Sequence, residues 1–155
     1  ALISSKNISR FCSYSEVERT TWQVYSLISN FLKHTKQPFF MFANFTETDY
    51  NGHKFRNGAE RYSNAIYRFD HILGKLLKEL EKRKMLKNTH IILTTNYGFE
   101  PNSREHTNHN KSFVISSFKI RYKRYQTSLV PTIYKLYGLP YKEFIPKLNP
   151  NLLIY

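Results

Sequence analysis

An acid and a histidine follow the most apolar stretch of this sequence at a spacing suited to metal binding. Residues 38–45 are apolar except for one asparagine, and Asp49 and His53 come after them, with Gly52 allowing the chain to bend between the two. A carboxylate and an imidazole held close together are ligands for zinc or another divalent metal. The alternative is a pair of solvated loop residues, which is the commoner case for an acid and a histidine after a strand. Taken alone, the pair is therefore a weak signal.

Two predicted strands bring a second loop to this pair. Residues 38–45 are predicted to form a strand buried on both faces, and residues 90–95 a second buried strand. Between them, apolar residues recur every three or four positions over 58–80, which predicts a long amphipathic helix. Because a strand–helix–strand unit has parallel strands with a right-handed crossover, both strands end on the same side. The loop 96–98 is therefore expected beside the acid–histidine pair.

The remaining patterns complete an α/β domain. Capping-box spacing at Ser15 predicts a helix that runs to about Lys33. A further strand is predicted at 112–117, and a last helix at 128–137 ends at Gly138. We therefore predict one domain over residues 1–155, mainly a parallel sheet with flanking helices, with an irregular lead-in at 1–14 and a tail at 140–155.

The net charge of +13, from 24 Lys and Arg against 11 Asp and Glu, favours anionic ligands. A phosphate or sulfate ester, an acidic glycan, nucleic acid or an acidic partner would each be attracted. Lys119, Arg121, Lys123 and Arg124 alternate with apolar residues and form the strongest basic run. They are either an anion-binding surface or an exposed strand whose charges prevent sheet association, and we give the second interpretation the larger weight. Nucleic acid is thus a partner that the pattern allows but does not favour.

The sequence offers few residues for catalysis. Asp49 and Asp70 are its only aspartates, so a site that needs several aspartates cannot be built from this chain alone. The single cysteine, Cys12, excludes an internal disulfide, and nothing near it indicates an activated thiol. Displacement at phosphorus or sulfur needs an activated nucleophile and cationic charge stabilisation. We therefore predict no catalytic residue in this chain.

No stretch is long and apolar enough to cross a bilayer.

The order of these motifs resembles the C-terminal half of the alkaline phosphatase and sulfatase superfamily, especially its sulfatase-like branch. The resemblance implies a partial alkaline-phosphatase-like fold, hydrolysis of phosphate or sulfate esters, and a secretory or extracellular location. The matching motifs are Pro38-Phe39-Phe40, Asp49-x-x-Gly52-His53, Tyr62 through Asp70 to Gly74, Leu86-Lys87-Asn88-Thr89, Ile91-Ile92-Leu93-Thr94, Gly98, Pro131-Thr132-Ile133 and Gly138-Leu139.

The resemblance also implies a ligand set. Phosphodiesterase-like members bind one metal through an Asp-x-x-x-His pair and a later histidine. Carried over to this sequence, the ligands are Asp49, His53 and either His106 or His109. One divalent metal is expected, either zinc or calcium or magnesium. An anionic ligand or ester substrate would bind there.

Two departures from the family pattern bear on activity. Asn96 and Tyr97 stand where the family has an aspartate and a histidine that bind a second metal. An uncharged amide and a phenol bind a divalent cation less well, so the second site is predicted to be lost. The family also takes its nucleophile from an N-terminal half that is not in this sequence.

Three hypotheses follow from these departures. The chain is part of a larger hydrolase that needs its N-terminal half or a partner subunit, or it is a degenerate relative that binds an anionic ligand without turnover. The third is a basic structural subunit of a larger assembly. We predict a sulfatase-like α/β domain with an impaired site, inactive by itself.

Overall fold

The computed structural model describes residues 20–36, 38–106, 112–119 and 129–139. These residues separate into two compact units. The larger unit contains residues 20–36, 38–90 and 97–106, and the smaller unit contains residues 91–96, 112–119 and 129–139. The larger unit carries helices α1 (Thr21–His34), α2 (Glu47–Phe55) and α3 (Glu60–Lys82) and a 3-10 helix (Leu86–Asn88).

Helix α1 begins at a capping box. The Thr20 hydroxyl accepts a hydrogen bond from the Gln23 backbone amide, and the Gln23 side chain accepts one from the Thr20 amide. Its buried residues, Val24, Ile28 and Leu32, recur every four positions and pack on α3. The predicted apolar face is therefore confirmed, whereas the predicted start at Ser15 lies outside the described residues.

Helix α3 matches the prediction from its apolar period. It has 23 residues, and Ala65, Ile72 and Leu80 are buried along one face. Both α1 and α2 pack against it. The predicted long amphipathic helix is therefore confirmed, and it is the element on which the larger unit is assembled.

Glu47, the first residue of α2, joins the three helices. Its carboxylate accepts hydrogen bonds from the Thr21 backbone amide at 2.8 Å and from the Arg68 Nε at 2.7 Å. Desolvation by burial acts to raise the pKa of Glu47, but the hydrogen bonds from Thr21 and the charge of Arg68 outweigh it and lower the pKa below its usual value. Glu47 is therefore a structural acid that fixes the start of α1.

The predicted buried strand at residues 38–45 is not a strand. The segment has no regular secondary structure and no strand partner among the described residues. Phe39 packs against Phe31 of α1 with ring centroids 5.1 Å apart, and Phe45 packs against Phe69 of α3 at 5.0 Å. Phe42, in contrast, is 81% exposed. Aromatic contacts with helices thus hold this segment, and none of its residues is fully buried, whereas the prediction was a strand buried on both faces.

The smaller unit contains strands β1 (Ile92–Thr94) and β2 (Val114–Ser116) and helix α4 (Leu129–Leu136). The strands pair antiparallel, with Ile92 opposite Ser116 and Thr94 opposite Val114. The protein is therefore α/β, but the prediction of a mainly parallel sheet is wrong for the described residues. The predicted partner of β1 was the segment that packs on helices instead, so the strand–helix–strand unit does not form.

Helix α4 confirms the predicted last helix. Pro131 and Thr132 are buried, and Gly138 follows the helix with φ of +64°, a backbone conformation that favours glycine at a helix end.

Of the predicted basic run, only Lys119 is described, and it is exposed. Arg121, Lys123 and Arg124 lie outside the described residues. No helix in the described part of the chain is both long and apolar enough to span a membrane.

Candidate metal centre

Three side chains of the larger unit converge on one point. Each of Asp49, His53 and His106 offers a ligand atom, and these atoms all lie within 4.8 Å of one another. The Nε2 of His106 is 3.0 Å from the Asp49 Oδ1 and 3.1 Å from the His53 Nε2, and the His53 Nε2 is 3.7 Å from the Asp49 Oδ2. The structure thus joins the acid–histidine pair with one of the two alternative later histidines. His109 lies outside the described residues.

Two of these side chains come from helix α2. The sequence suggested a turn bent at Gly52, but residues 47–55 are helical, and this expectation is wrong. The helix itself places Asp49 and His53 side by side, because residues four positions apart lie on the same face one turn apart. The Asp49 carboxylate lies in the first turn, where the positive end of the helix dipole stabilises it.

The third side chain comes from the loop 97–106. The loop is tied to the end of α2 by reciprocal hydrogen bonds, from the Asn57 amide to the Ser103 carbonyl at 3.1 Å and from the Ser103 amide to the Asn57 Oδ1 at 3.0 Å. Within the loop, the Glu100 amide donates to the Glu105 carbonyl at 3.0 Å. These bonds bring His106 beside α2 although the loop has no regular secondary structure.

Both imidazoles are held with the same nitrogen facing Asp49. The Nδ1 of His53 lies 2.7 Å from the Arg104 carbonyl oxygen, and the Nδ1 of His106 lies 2.7 Å from the Gly98 carbonyl oxygen. A carbonyl oxygen can only accept, so each Nδ1 carries the proton, and in the neutral ring each Nε2 has a lone pair. With both rings neutral, the two Nε2 atoms and the Asp49 carboxylate are all acceptors that face one another, an arrangement that a cation stabilises.

The distances fit a metal ion of the size of zinc. Two bonds of about 2.0 Å at a tetrahedral angle place their ligand atoms about 3.3 Å apart. The His106 Nε2 lies 3.0 Å from the Asp49 Oδ1 and 3.1 Å from the His53 Nε2, both close to that value, whereas the 3.7 Å contact of His53 is with the other carboxylate oxygen, Oδ2. The Asp49 and His53 side chains are 58% and 47% exposed, so a solute can reach this side of the site. The residues present therefore suit a divalent metal with an open side.

Aromatic rings cover the inner side of the site. Phe99 is 9% exposed, and its ring centroid lies 3.9 Å from that of His106 and 5.1 Å from that of His53. Tyr97 adds a ring at 4.6 Å from His106. The pKa of Tyr62 is raised mainly by burial and to a smaller extent by the negative charge of the nearby Asp49 carboxylate, so this phenol stays neutral. Phe99 was not identified from the sequence. The signal that could have identified it is a large apolar side chain directly before the polar residues 100–106.

The two positions expected to bind a second metal are Asn96 and Tyr97. Tyr97 lies beside His106 as an aromatic neighbour, and Asn96 is an exposed residue after β1. Among the residues that the structure describes, the three-ligand group is the one set of His, Cys, Asp and Glu side chains close enough to hold a metal.

Comparison with known proteins identifies one family. The model of the family described as type I phosphodiesterase / nucleotide pyrophosphatase matches residues 6–138. No curated protein and no solved structure matches the chain. The matched range includes every residue of the cluster.

Proposed function

This chain belongs to the type I phosphodiesterase / nucleotide pyrophosphatase family of the alkaline phosphatase superfamily, and we propose that it binds a phosphate ester at one metal ion held by Asp49, His53 and His106. The family is metal-dependent, and these side chains lie close enough to bind a metal. The observation that carries the proposal is the convergence of the Asp49 carboxylate with two imidazole Nε2 atoms, in rings whose Nδ1 atoms already pair with carbonyl oxygens.

We propose zinc as the metal. Calcium and magnesium prefer oxygen ligands, whereas two imidazoles and one carboxylate are a common donor set for zinc. Three protein ligands are also the number that catalytic zinc sites use, with a further position left for water or substrate. A divalent ion bound there would polarise a phosphoryl oxygen as a Lewis acid.

The chain's own residues account for binding better than for turnover. Asp49 and His53 present their ligand atoms to solvent, and Phe99 closes the opposite side against water. The Tyr62 phenol interacts with the Asp49 carboxylate, but its raised pKa keeps it neutral, which makes it a poor nucleophile. We therefore propose that the single-metal site binds the ester and that hydrolysis requires a nucleophile from elsewhere, as the resemblance implies.

The test measures metal content and ester chemistry together. Protein purified without chelators should contain about one equivalent of zinc by elemental mass spectrometry, and Asp49→Ala should lose it. Asp70→Ala is the matched control, because Asp70 is the other aspartate of the chain and is exposed on α3 away from the cluster. It should retain zinc.

The same preparations are then given bis(p-nitrophenyl) phosphate and p-nitrophenyl sulfate. The metal-loaded protein should bind the phosphate diester and release p-nitrophenol no faster than Asp49→Ala does. Zinc content that is unchanged in Asp49→Ala would refute the site. Zinc-dependent release of p-nitrophenol would refute the proposed lack of turnover, and release from the sulfate ester alone would favour the sulfatase-like branch.

A further inference from the structure

Phe99 contacts both histidines of the cluster. Its ring packs against the face of His106 at 3.9 Å with an interplanar angle of 37°, and against His53 at 5.1 Å with an angle of 72°. A third ring, that of Tyr62 in α3, lies with its centroid 5.8 Å from that of Phe99. Resting on the proposed function, we propose that Phe99 is a positioning residue that sets the two imidazoles at the separation one metal ion needs.

Gly52 makes room for this ring. A Cβ built on Gly52 would overlap the Cζ and Cε2 atoms of the Phe99 ring. Glycine in the interior of a helix costs stability relative to alanine. Gly52 is buried within α2, one residue before a proposed ligand, so the helix accepts that cost where the ring must approach its backbone.

The ring supplies a restraint that the hydrogen bonds leave out. Each imidazole makes one hydrogen bond through Nδ1 to a carbonyl oxygen, and one such bond still allows the ring plane to rotate. Packing of Phe99 against both imidazoles, at 37° to the plane of His106 and 72° to that of His53, restricts that rotation. Partners that orient a ligand in this way affect metal affinity without touching the metal.

The experiment compares Phe99→Leu with the unchanged protein in a cobalt titration. Cobalt(II) reports affinity and, through its visible absorption, the geometry of its ligands. Phe99→Leu should bind cobalt about 10- to 100-fold more weakly, the range seen when an outer partner of a ligand is lost, and its absorption band should change. Phe99→Met, whose unbranched side chain adapts to the same space, is measured in parallel. It should show the same loss of cobalt affinity, and it replaces Phe99→Leu in the comparison if that variant does not fold.

Ile72→Ala is the matched control. Ile72 is 1% exposed in α3 and has no part in the cluster, so this variant loses core packing but keeps the rings around the ligands. It should unfold at a lower temperature and still bind cobalt with unchanged affinity and spectrum. An equal loss of cobalt affinity in Ile72→Ala would overturn the positioning role, because general destabilisation would then explain both variants.

Two further outcomes separate this inference from the proposed function. If the unchanged protein binds cobalt and Phe99→Leu binds it with the same affinity and the same spectrum, the positioning role alone is overturned. Absence of cobalt binding in the unchanged protein would overturn the metal site, and the positioning role with it.

Discussion

Helix α2 and the loop 97–106 contribute to the same cluster, but they hold their ligands in different ways. On α2, the regular rise of the helix places Asp49 and His53 together, and both side chains are about half exposed. In the loop, His106 is held by a backbone carbonyl and by Phe99, and its side chain is only 17% exposed. Helix geometry thus places the two ligands of the helix side, whereas contacts within the loop itself hold the ligand of the loop side.

Removing a ligand from either side should have the largest effect. His53→Ala and His106→Ala should each lower zinc affinity by more than the roughly 10- to 100-fold that follows loss of an outer partner. The two should differ in metal-free stability, because His106 is packed among rings and His53 faces solvent. Calorimetric zinc titration and thermal unfolding in chelator measure both quantities. Equal melting temperatures for the two variants would contradict the difference between the sides.

Gly52→Ala should act where the two sides meet. The added Cβ would overlap the Phe99 ring, so the loop must shift, and overpacking of this kind costs about 1–3 kcal/mol of unfolding free energy. Zinc affinity should fall as well, because the loop carries His106. Urea unfolding and zinc titration give the two results.

Gly74→Ala is the control for this change. A Cβ on Gly74 in α3 would meet nothing within 4 Å, so the substitution should stabilise the helix by about 0.5–1 kcal/mol and leave zinc affinity unchanged. If both alanine variants lower stability alike, the close approach of Phe99 to α2 is not the reason.

Glu47→Gln should weaken the hydrogen bonds that join the start of α2 to α1 and α3. The substitution keeps an acceptor but replaces hydrogen bonds to a charged group by neutral ones, a loss of about 1 kcal/mol at neutral pH. Because the pKa of Glu47 is lower in the folded protein than in the unfolded chain, its stabilisation is complete above about pH 4.3. It is lost as the pH falls through the folded-state value.

The stability of the unchanged protein should therefore fall more steeply on acidification than that of Glu47→Gln. Urea unfolding at a series of acidic pH values measures this difference. Glu79 has a lowered pKa in both proteins, because hydrogen bonds from Arg83, Ser29 and Tyr25 outweigh its desolvation, and so it cancels in the comparison. Parallel pH profiles would show that the Glu47 carboxylate does not fix α1.

Asn57→Ala should have the smallest effect and should act on the loop side. It removes the side-chain acceptor of the Ser103 amide, but that amide also donates to the Glu100 carbonyl, so the loss is about 0.5 kcal/mol. Hydrogen exchange at the Ser103 amide should become faster, while exchange in α3 stays the same. Asn64→Ala, which changes an exposed asparagine of α3, should leave the Ser103 amide unchanged.

The sequence predicted what depends on short-range periodicity. Apolar spacing was sufficient for α3 and for the buried face of α1, and the four-residue spacing of Asp49 and His53 indicated a shared site. The prediction failed for residues 38–45, where aromatic residues suit a buried strand as well as an extended segment packed on helices. Only the partners of those rings distinguish the two, and the sequence pattern does not show that Phe39 contacts Phe31 or that Phe45 contacts Phe69.

Gly52 shows a different limit. Glycine between an acid and a histidine predicted a bend, because glycine is common in turns. In the structure it lies inside α2, and the reason for a glycine is the Phe99 ring across the unit. The role of Phe99 itself depends on the same contact, so neither residue could be interpreted before the loop was placed on the helix.

The unequal exposure of the three ligands bears on how a metal would enter and leave. Asp49 and His53 are open to solvent, so an ion can reach two of its three ligands without any opening of the loop. Its rates of loading and loss would then be set by the lifetimes of individual metal–ligand bonds and not by unfolding of the unit. Occupancy would follow the free metal concentration around the folded protein at all times, since the ion is not trapped when the chain folds.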